Sequence, residues 1–451
     1  MSSLDQHAQP AQIPESLFTL RQLVSPFGLV SRTRELSPVE GEPDFHVHLA
    51  QLGSPARALK NRMSSVDGED IGNSDGAGTG LDPERAQLIS IAEALERYSV
   101  AAWTDEDIIT AAEESLEVDH VSPVRWPQCS THELSRPHSR LRPYDPSVPI
   151  RWVRAWSLTR NAEVLVPAIA VYLHMPYRSD SEKFIRGVTT GAAVHSSLDA
   201  AILNGLLEVI ERDAIALVWL QRLRLPEVEV ESDRLDEEVR IHHELVQNSG
   251  LTVKLFDATT DFGVPVLYAL QMSESDPDLS QIVAATCDLS PQTALAKLYR
   301  ELSSIRVALR GYLRAFAGRA PDPSRVSVVG GAVHNAVRSR RGVFDFLLEG
   351  TRKKTRLGNL ADLSGSRNPL DEIVENLAAK GAEVLVVDVT TDEARQVGMH
   401  VVKVLVPEAM PVSFVHEERF LATPRLYQAP VSMGHPVLLE QDINPEHQPF
   451  A

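Results

Sequence analysis

A narrow polar stripe runs along an otherwise apolar segment, residues 200–220. If the segment is a helix, at about 100° per residue, Asn204, Glu208 and Glu211 lie within roughly 60° of one another. Two carboxylates on a helix built for burial are costly unless a positive charge lies between them. The residue types therefore point either to an ion pair with Arg212 or to a bound metal ion.

The same spacing of acids and arginine occurs once earlier in the chain. Residues 90–98 read SIAEALERY, with Glu93, Glu96 and Arg97 placed as the later Glu-x-x-Glu-Arg is placed. The alternative interpretation is a pair of solvated helix faces with ordinary Glu–Arg pairs four residues apart. The apolar surroundings of the later copy disfavour that interpretation, because they leave no solvated face.

A glycine-containing stretch precedes each of the two acidic segments. Residues 68–80 read GEDIGNSDGAGTG and residues 184–194 read FIRGVTTGAAV. Glycine lets a backbone approach a phosphate closely, and a helix N-terminus favours anions. No Gly-Lys-Ser/Thr follows the first stretch, so it is not a P-loop, and a plain turn is the alternative. The repetition of glycine loop and acidic helix predicts two related units.

Composition limits the possible partners and the compartment. The net charge of −18 disfavours non-specific binding to nucleic acid or to an anionic membrane, so any phosphate site has to be built locally from Arg, Lys and metal. Two cysteines, Cys129 and Cys287, exclude a disulfide framework and a multi-cysteine zinc site, and they fit a reducing cytoplasm. No signal peptide and no apolar run of about 18 residues is present, so we expect a cytoplasmic protein.

Helical and strand patterns alternate along the chain, which predicts a mixed α/β (α+β) fold. Asn161, next to Arg160, is expected in the turn of a hairpin over residues 153–172, and Ser290 and Pro291 are expected to start a long helix. The predicted strands, apart from the hairpin, cover residues 45–52, 251–258, 264–272, 281–286 and 401–406, and a helix, a glycine stop and a buried strand are predicted over residues 370–389.

Together these motifs make the chain resemble the YcaO family, specifically the stand-alone cyclodehydratase component that makes azolines and azoles in ribosomally synthesised peptides. The resemblance covers about residues 60–440, and its most specific parts are SIAEALERY and GLLEVIERDA. It implies a YcaO-like fold of two related sheet-and-helix units that enclose an ATP site. It also implies three regions: a partly disordered N-terminal segment at 1–59, a catalytic domain at 60–440 and a C-terminal tail at 441–451.

ATP and Mg²⁺ are the cofactors that the resemblance implies. The metal ligands would be Glu93, Glu96, Glu208 and Glu211, and the nucleotide contacts Ser90, Arg97, Asn204, Arg212 and Arg306. Magnesium is commonly held by one or two carboxylates together with substrate phosphates, and arginines neutralise phosphate oxygens. No general base is identified, so the catalytic residue remains unassigned.

The chain departs from the family pattern at several positions. Ala77 stands where a lysine is common in the first glycine stretch, and Arg186 stands where an asparagine usually precedes the glycine of the second stretch. Ser304 replaces a common glutamine between Glu301 and Arg306, and the end of the chain, NPEHQPFA, is only weakly Pro-rich. These departures affect the expected phosphate contacts and the role of the tail more than ATP binding itself.

The implied activity is ATP-dependent activation of a peptide-bond oxygen. A Cys, Ser or Thr side chain of a precursor peptide would attack the preceding carbonyl. The oxyanion would take the γ-phosphoryl group, and loss of phosphate would leave an azoline. The family also forms thioamides and amidines, and a non-catalytic scaffold in a peptide-modification complex is the alternative from another class.

Expected partners are the precursor peptide, a separate protein that binds its leader segment, and a second copy of the chain in a homodimer. No nucleic acid and no membrane are expected as partners.

Overall fold

Three β-sheets form the framework of the chain in the computed structural model, which describes residues 13–53, 75–137, 139–316, 322, 324–350 and 352–451. The strands in these ranges are β1 (Val30–Leu36), β2 (His46–Leu52), β3 (Gly76–Gly80), β4 (Ile109–Ala111), β5 (Ile150–Ser157), β6 (Ala162–Pro167), β7 (Ala192–His195), β8 (Glu227–Glu229), β9 (Leu251–Asp257), β10 (Val266–Ser273), β11 (Gln281–Cys287), β12 (Lys354–Arg356), β13 (Leu385–Asp388) and β14 (His400–Leu405). The sheet orders are β1-β2-β3, then β11-β10-β9-β8-β12, then β4-β5-β13-β14-β7 with β6 paired to β5.

Helices cover these sheets, and three of them are long. The helices in the described ranges are α1 (Glu15–Phe18), α2 (Pro83–Ala101), α3 (Thr131–Leu134), α4 (Ala168–Val171), α5 (Leu198–Gln221), α6 (Glu237–Gln247), α7 (Pro291–Phe316), α8 (Gly330–Ala336), α9 (Asp345–Leu348), α10 (Pro369–Ala379), α11 (Asp392–Gln396) and α12 (Arg425–Ser432). The predicted mixed fold is therefore confirmed. No helix in these ranges is long and apolar enough to cross a membrane.

Helix α2 packs directly onto the three-stranded sheet through β3. Asp82 caps the helix by accepting the Arg85 N–H at 2.8 Å. A Cβ atom at Gly76 or Gly78 would lie 2.1 Å from a carbonyl oxygen of the helix, so only glycine allows this contact. The prediction of a loop was therefore wrong for residues 76–80, which form a strand, and residues 68–74 of that stretch lie outside the described residues.

Helix α5 packs in a similar way onto β7 and β14 of the six-stranded sheet. Gly205 makes the close approach here, since a Cβ atom on it would lie 2.7 Å from the carbonyl oxygen of Gly191. The helix ends at Arg222, which adopts a left-handed conformation with φ of 48°. Each acidic helix thus lies on its own sheet, behind a glycine-containing segment, as the two-unit prediction requires.

The five-stranded sheet lies between α5 and the third long helix, α7. Alternate residues of β10 face opposite sides: Tyr268 and Leu270 join the core around α5, whereas Leu267 and Ala269 join the core around α7. Because both faces of this sheet are covered, β10 and β11 are buried along almost their whole length and are mostly apolar. The sheet therefore fixes the position of α7 relative to α5.

Most of the predicted elements are present with small shifts at their ends. Asn161 has a φ of 51° in the turn between β5 and β6, as the hairpin prediction requires. The end of that hairpin was predicted wrongly, because residues 168–171 form the helical turn α4 and not a strand. In the tail, Asn444 and Phe450 are buried against the body of the chain.

Candidate active site

A large cavity of about 1,910 Å³ opens between α2, α5 and α7. Most of the acids and arginines singled out from the sequence line its wall: Glu93, Glu96, Arg97, Asn204, Glu208, Glu211 and Arg212. The two Glu-x-x-Glu-Arg segments, which are more than one hundred residues apart in the chain, therefore face one space.

The first glutamate of each segment is held in the same manner. Glu93 accepts the Ala77 N–H of β3 at 2.7 Å, and Glu208 accepts the Gly191 N–H before β7 at 2.9 Å. Each glutamate is also paired with the arginine four residues later, at 2.5 Å to Arg97 and at 3.5 Å to Arg212. In each half one carboxylate oxygen is thus tied to the backbone of the adjacent segment, which fixes the direction of the side chain.

The second glutamate of each segment has a pKa above its usual value. Burial raises the pKa of Glu96 well above its usual value, and the negative charges of Glu208 and Glu93 add to the effect. Burial likewise raises the pKa of Glu211 to about 7, although Arg212 opposes the shift and the Cys287 N–H donates to its carboxylate at 3.0 Å. The like charges of these neighbouring carboxylates repel one another, which is part of the reason that their pKa values are raised.

Helix α7 supplies a fifth carboxylate, Glu301, which the family pattern matched in the sequence but which was not among the predicted metal ligands. Burial raises the pKa of Glu301, and the charge of Glu93 across the cavity raises it further. Lys297, Arg300 and Ser304 lie beside Glu301 on the cavity wall. They follow helical spacing, which is the signal that would have found them.

Ser90 and Arg306 do not line the cavity. Ser90 is fully buried and its hydroxyl donates to the Gln87 carbonyl at 2.6 Å. Arg306 is 2% exposed and pairs with Glu42 at 2.6 Å and with Asp276 at 3.2 Å. Five residues on a helix correspond to about 140°, so Arg306 cannot share the face of Glu301. The predicted nucleotide contacts of Ser90 and Arg306 stay predictions without support from this geometry.

A buried lysine lies behind the acidic wall and was missed in the sequence. Lys403 on β14 is 1% exposed, and its ammonium donates to the carbonyl oxygens of Val188 and Thr190, the latter at 2.6 Å. Burial lowers its pKa to about 8, while the nearby charges of Glu208 and Glu96 act in the opposite direction. The sequence signal for it was a single lysine within the apolar strand VVKVLV. A charge in such a strand indicates a specific role, because an unpaired charge is rarely buried.

The donor set fits magnesium held together with a ligand, and not a metal cage made by the protein alone. Within the described ranges, no three His, Cys, Asp or Glu side chains are grouped so that they would hold a metal ion. Magnesium usually takes one or two carboxylates plus phosphate oxygens and water. Paired glutamates on facing helices, with raised pKa values at Glu96 and Glu211, offer such positions.

The cavity is also rich in cations, although the chain as a whole is acidic. Its described lining contains eleven Lys and Arg side chains against seven carboxylates, whereas the chain carries a net charge of −18. One group, Arg140, Arg142, Lys183 and Arg186, lies at the side of the second glycine segment. Arg186 is paired there with Glu418 at 2.9 Å. The local excess of cations favours an anionic ligand in this space.

Without metal or nucleotide, we expect the Glu211→Gln variant to be more stable than the parent protein at pH 8. The folded-state pKa of Glu211, about 7, lies above its value of about 4.5 in the unfolded chain. The parent protein therefore loses stability as the pH rises from about 4.5 to 7, because its folded state has to release a proton it holds more tightly. The gain should be on the order of 1–3 kcal/mol at pH 8 and small at pH 5. Urea unfolding at both pH values measures it.

The control for this experiment is Glu163→Gln, which changes an exposed glutamate on β6. This variant should show no gain that depends on pH. If Glu211→Gln behaves like Glu163→Gln, the carboxylate of Glu211 is not destabilised in the empty site.

Comparisons with known proteins show the family and the fold of the chain. The family model described as YcaO cyclodehydratase, ATP- and Mg²⁺-binding, matches residues 77–410, which is well over half of the chain. An uncharacterised protein of Methanothermobacter thermautotrophicus is 28% identical over 419 residues, which cover 92% of this chain and 97% of that protein.

Two solved structures share the fold. A heterocyclase in complex with substrate and cofactor superposes with a TM-score of 0.76 at 24% identity, covering 96% of this chain. This chain spans only 57% of that heterocyclase. The YcaO protein of Methanopyrus kandleri, bound with AMPPCP and Mg²⁺, superposes with a TM-score of 0.58 at 20% identity. It covers 87% of this chain, and 88% of its own length is matched.

Proposed function

Because the chain belongs to the YcaO cyclodehydratase family, whose members bind ATP and Mg²⁺, we propose that it phosphorylates peptide-bond oxygens of a precursor peptide and so converts Cys, Ser or Thr residues to azolines. The observation that carries this proposal is the pair of matching acidic half-sites that face one cation-rich cavity. ATP and Mg²⁺, the cofactors predicted from the sequence, are confirmed at the level of the family.

On this proposal, different residues of the chain would bind the metal and the phosphates. Glu96 and Glu211, which carry the raised pKa values, would ligate Mg²⁺ together with Glu93 and Glu208, whose second oxygens are tied to backbone amides. Arg97 and Arg212 would neutralise phosphate oxygens that the acidic chain otherwise repels. Bound Mg·ATP supplies the phosphoryl group that activates the amide oxygen. The protein contributes mainly position and charge, as is usual in phosphoryl transfer.

The size of the cavity supports a second ligand beside the nucleotide. Pockets for single small molecules are roughly 300–1,000 Å³, whereas this one is about 1,910 Å³. Apolar side chains line the part formed by the C-terminal region, among them Val415, Phe414, Phe420 and Phe450. We assign this part to an extended segment of the precursor peptide, with its reactive residue placed next to the nucleotide phosphates.

A separate protein is proposed to deliver the precursor by binding its leader segment. On this proposal the purified chain has weak activity alone and gains activity when the partner is added. Full-rate modification of a complete precursor by the chain alone would contradict the need for a partner. A homodimer of this chain is proposed from the family and is tested by sedimentation.

The decisive experiment measures ADP and phosphate release with and without precursor peptide, together with the mass of the peptide product. The expected result is peptide-dependent ATP turnover and loss of one water for each residue cyclised. A precursor whose Cys, Ser and Thr residues are replaced by Ala is the control, and it should not stimulate turnover. Exchange of oxygen for sulfur would assign thioamide formation, and loss of water with an amine of the peptide as the nucleophile would assign an amidine. Nucleotide binding without any turnover would assign a scaffold.

A further inference from the structure

The two glycine-containing segments use their backbone donors differently. In the first, β3 pairs with β2 and the Ala77 N–H donates to Glu93. In the second, residues 187–191, the N–H groups of Val188, Thr189 and Thr190 have no hydrogen-bond partner within the described ranges. Val188 and Thr189 line the cavity. The second segment therefore keeps donors available at the wall of the proposed active site.

Lys403 determines which way these peptide groups point. Its ammonium donates to the carbonyl oxygens of Val188 and Thr190. In a trans peptide the carbonyl oxygen and the next N–H point in opposite directions, and the described residues contain no cis peptide bond. The unit between Thr190 and Gly191 shows this directly, because its carbonyl faces Lys403 while its N–H donates to Glu208 at 2.9 Å.

The peptide unit between Val188 and Thr189 also has its carbonyl oxygen bonded to Lys403. Its N–H, which belongs to Thr189, points in the opposite direction. Thr189 itself lines the cavity, as does Glu208. The amide therefore points away from the buried lysine and belongs to a residue of the same cavity wall as a proposed metal ligand.

The backbone of this segment is held in one shape. The Ala192 N–H donates to the Thr189 carbonyl at 2.8 Å, and Gly191 has a φ of +83° at the third position of the turn, as a type II turn requires. A side chain at Gly191 would place a Cβ atom 2.1 Å from the Val404 carbonyl oxygen. The donor at Thr189 is therefore oriented before any ligand arrives, which is the arrangement that binds anionic oxygens most effectively.

We propose that the Thr189 N–H binds a phosphate oxygen of the metal-bound nucleotide, and that Lys403 is a positioning residue that orients this amide. The proposal rests on the proposed function, because it requires Mg²⁺ and a nucleotide in the cavity. On this proposal the buried ammonium has a structural role. It binds the carbonyl oxygens of Val188 and Thr190, and the Thr189 N–H on the opposite side of its peptide unit is then free to face the ligand.

The test is calorimetric binding of Mg·ADP and Mg·AMPPCP to the full chain and to two variants. Lys403→Met removes the ammonium from the two carbonyls, and Thr189→Pro removes the proposed donor, together with the threonine side chain, while Lys403 stays in place. Each variant should lose about tenfold to a hundredfold in affinity for Mg·AMPPCP, the range for one lost hydrogen bond to a charged group. The matched control is Thr390→Val, which removes a buried hydroxyl bonded to Val401 of the same sheet and does not touch the cavity.

The pattern of losses identifies the phosphate. A loss for Mg·AMPPCP alone assigns the Thr189 amide to the γ-phosphate, and an equal loss for Mg·ADP assigns it to the α- or β-phosphate. Unchanged affinity for both nucleotides in Thr189→Pro, with native circular dichroism, overturns the proposal even if Lys403→Met does not fold. Failure of the parent protein to bind either nucleotide overturns the proposed function instead, so the two failures are distinguishable.

Discussion

Replacing Glu208 by Gln is expected to lower the rate of ATP turnover on the order of 10²- to 10³-fold, while the chain keeps its fold. The range is that for removing one preorganised electrostatic contact from an active site. The amide of the new side chain still carries an oxygen that accepts the Gly191 N–H, so the glycine segment stays in place. What is lost is the negative charge next to the proposed metal, together with its pair to Arg212. Phosphate release at saturating Mg·ATP, followed by a magnesium titration, measures the effect.

The matched control lies on the same helix. Asp199→Asn removes an exposed carboxylate from the first turn of α5, outside the cavity. It should leave turnover within about twofold, because surface substitutions away from the site have small effects. Unchanged turnover in Glu208→Gln, with a native spectrum and the control behaving as expected, would remove Glu208 from the proposed metal site.

Replacing Asp213 by Ala is expected to cost about 3–5 kcal/mol of unfolding free energy. Asp213 is completely buried beside the acidic stripe of α5, and both of its oxygens lie 2.6 Å from the guanidinium of Arg425. The Met410 N–H also donates to it at 2.8 Å. Removing the carboxylate leaves a buried guanidinium whose remaining ion pair, among the residues that the structure describes, is the one with Asp261 at 3.0 Å. Urea unfolding without nucleotide gives the value.

An exposed ion pair provides the comparison for this stability experiment. Glu163 pairs with Arg154 across β5 and β6, and more than half of each side chain is exposed. Glu163→Ala should change stability by less than about 1 kcal/mol, as is usual for exposed pairs. If Asp213→Ala costs no more than Glu163→Ala, the link between α5 and the C-terminal region is not what stabilises the helix.

The acidic helices could be predicted from sequence because the pattern that defines them lies within short, continuous stretches of the chain. The 3.6-residue period fixes which side chains share a face, so the positions of Glu93, Glu96, Glu208 and Glu211 around one space followed once two copies of the pattern were recognised. The family resemblance supplied the nucleotide between them. It also carried over Arg306, but the same helical period places Arg306 far from the face of Glu301.

The strand and loop parts of the site depend on contacts that are remote in sequence. Residues 76–80 looked like a loop because they are rich in glycine, yet they pair with β2 as a strand, and α2 leaves room for nothing larger than glycine at positions 76 and 78. In the sequence, Lys403 was recognisable only as one charged residue within a predicted strand. Its role became visible only when β14 was placed next to β7, where Lys403 pairs in register with Ala192. Such pairings between distant strands cannot be read from local periodicity.

The way each first glutamate is tied to a backbone amide has a consequence for how the site evolves. Glu93, Ala77 and Arg97 are joined in one set of contacts, and Glu208, Gly191 and Arg212 are joined in another. Within each set, these contacts join residues that lie close together in the chain. A duplicated segment would therefore carry these contacts with it. After duplication, each copy is free to diverge in its flanking residues while acid, arginine and amide are kept. A ligand bound between them, as proposed here for Mg·ATP, would be the common constraint that keeps the geometry of the two sets matched.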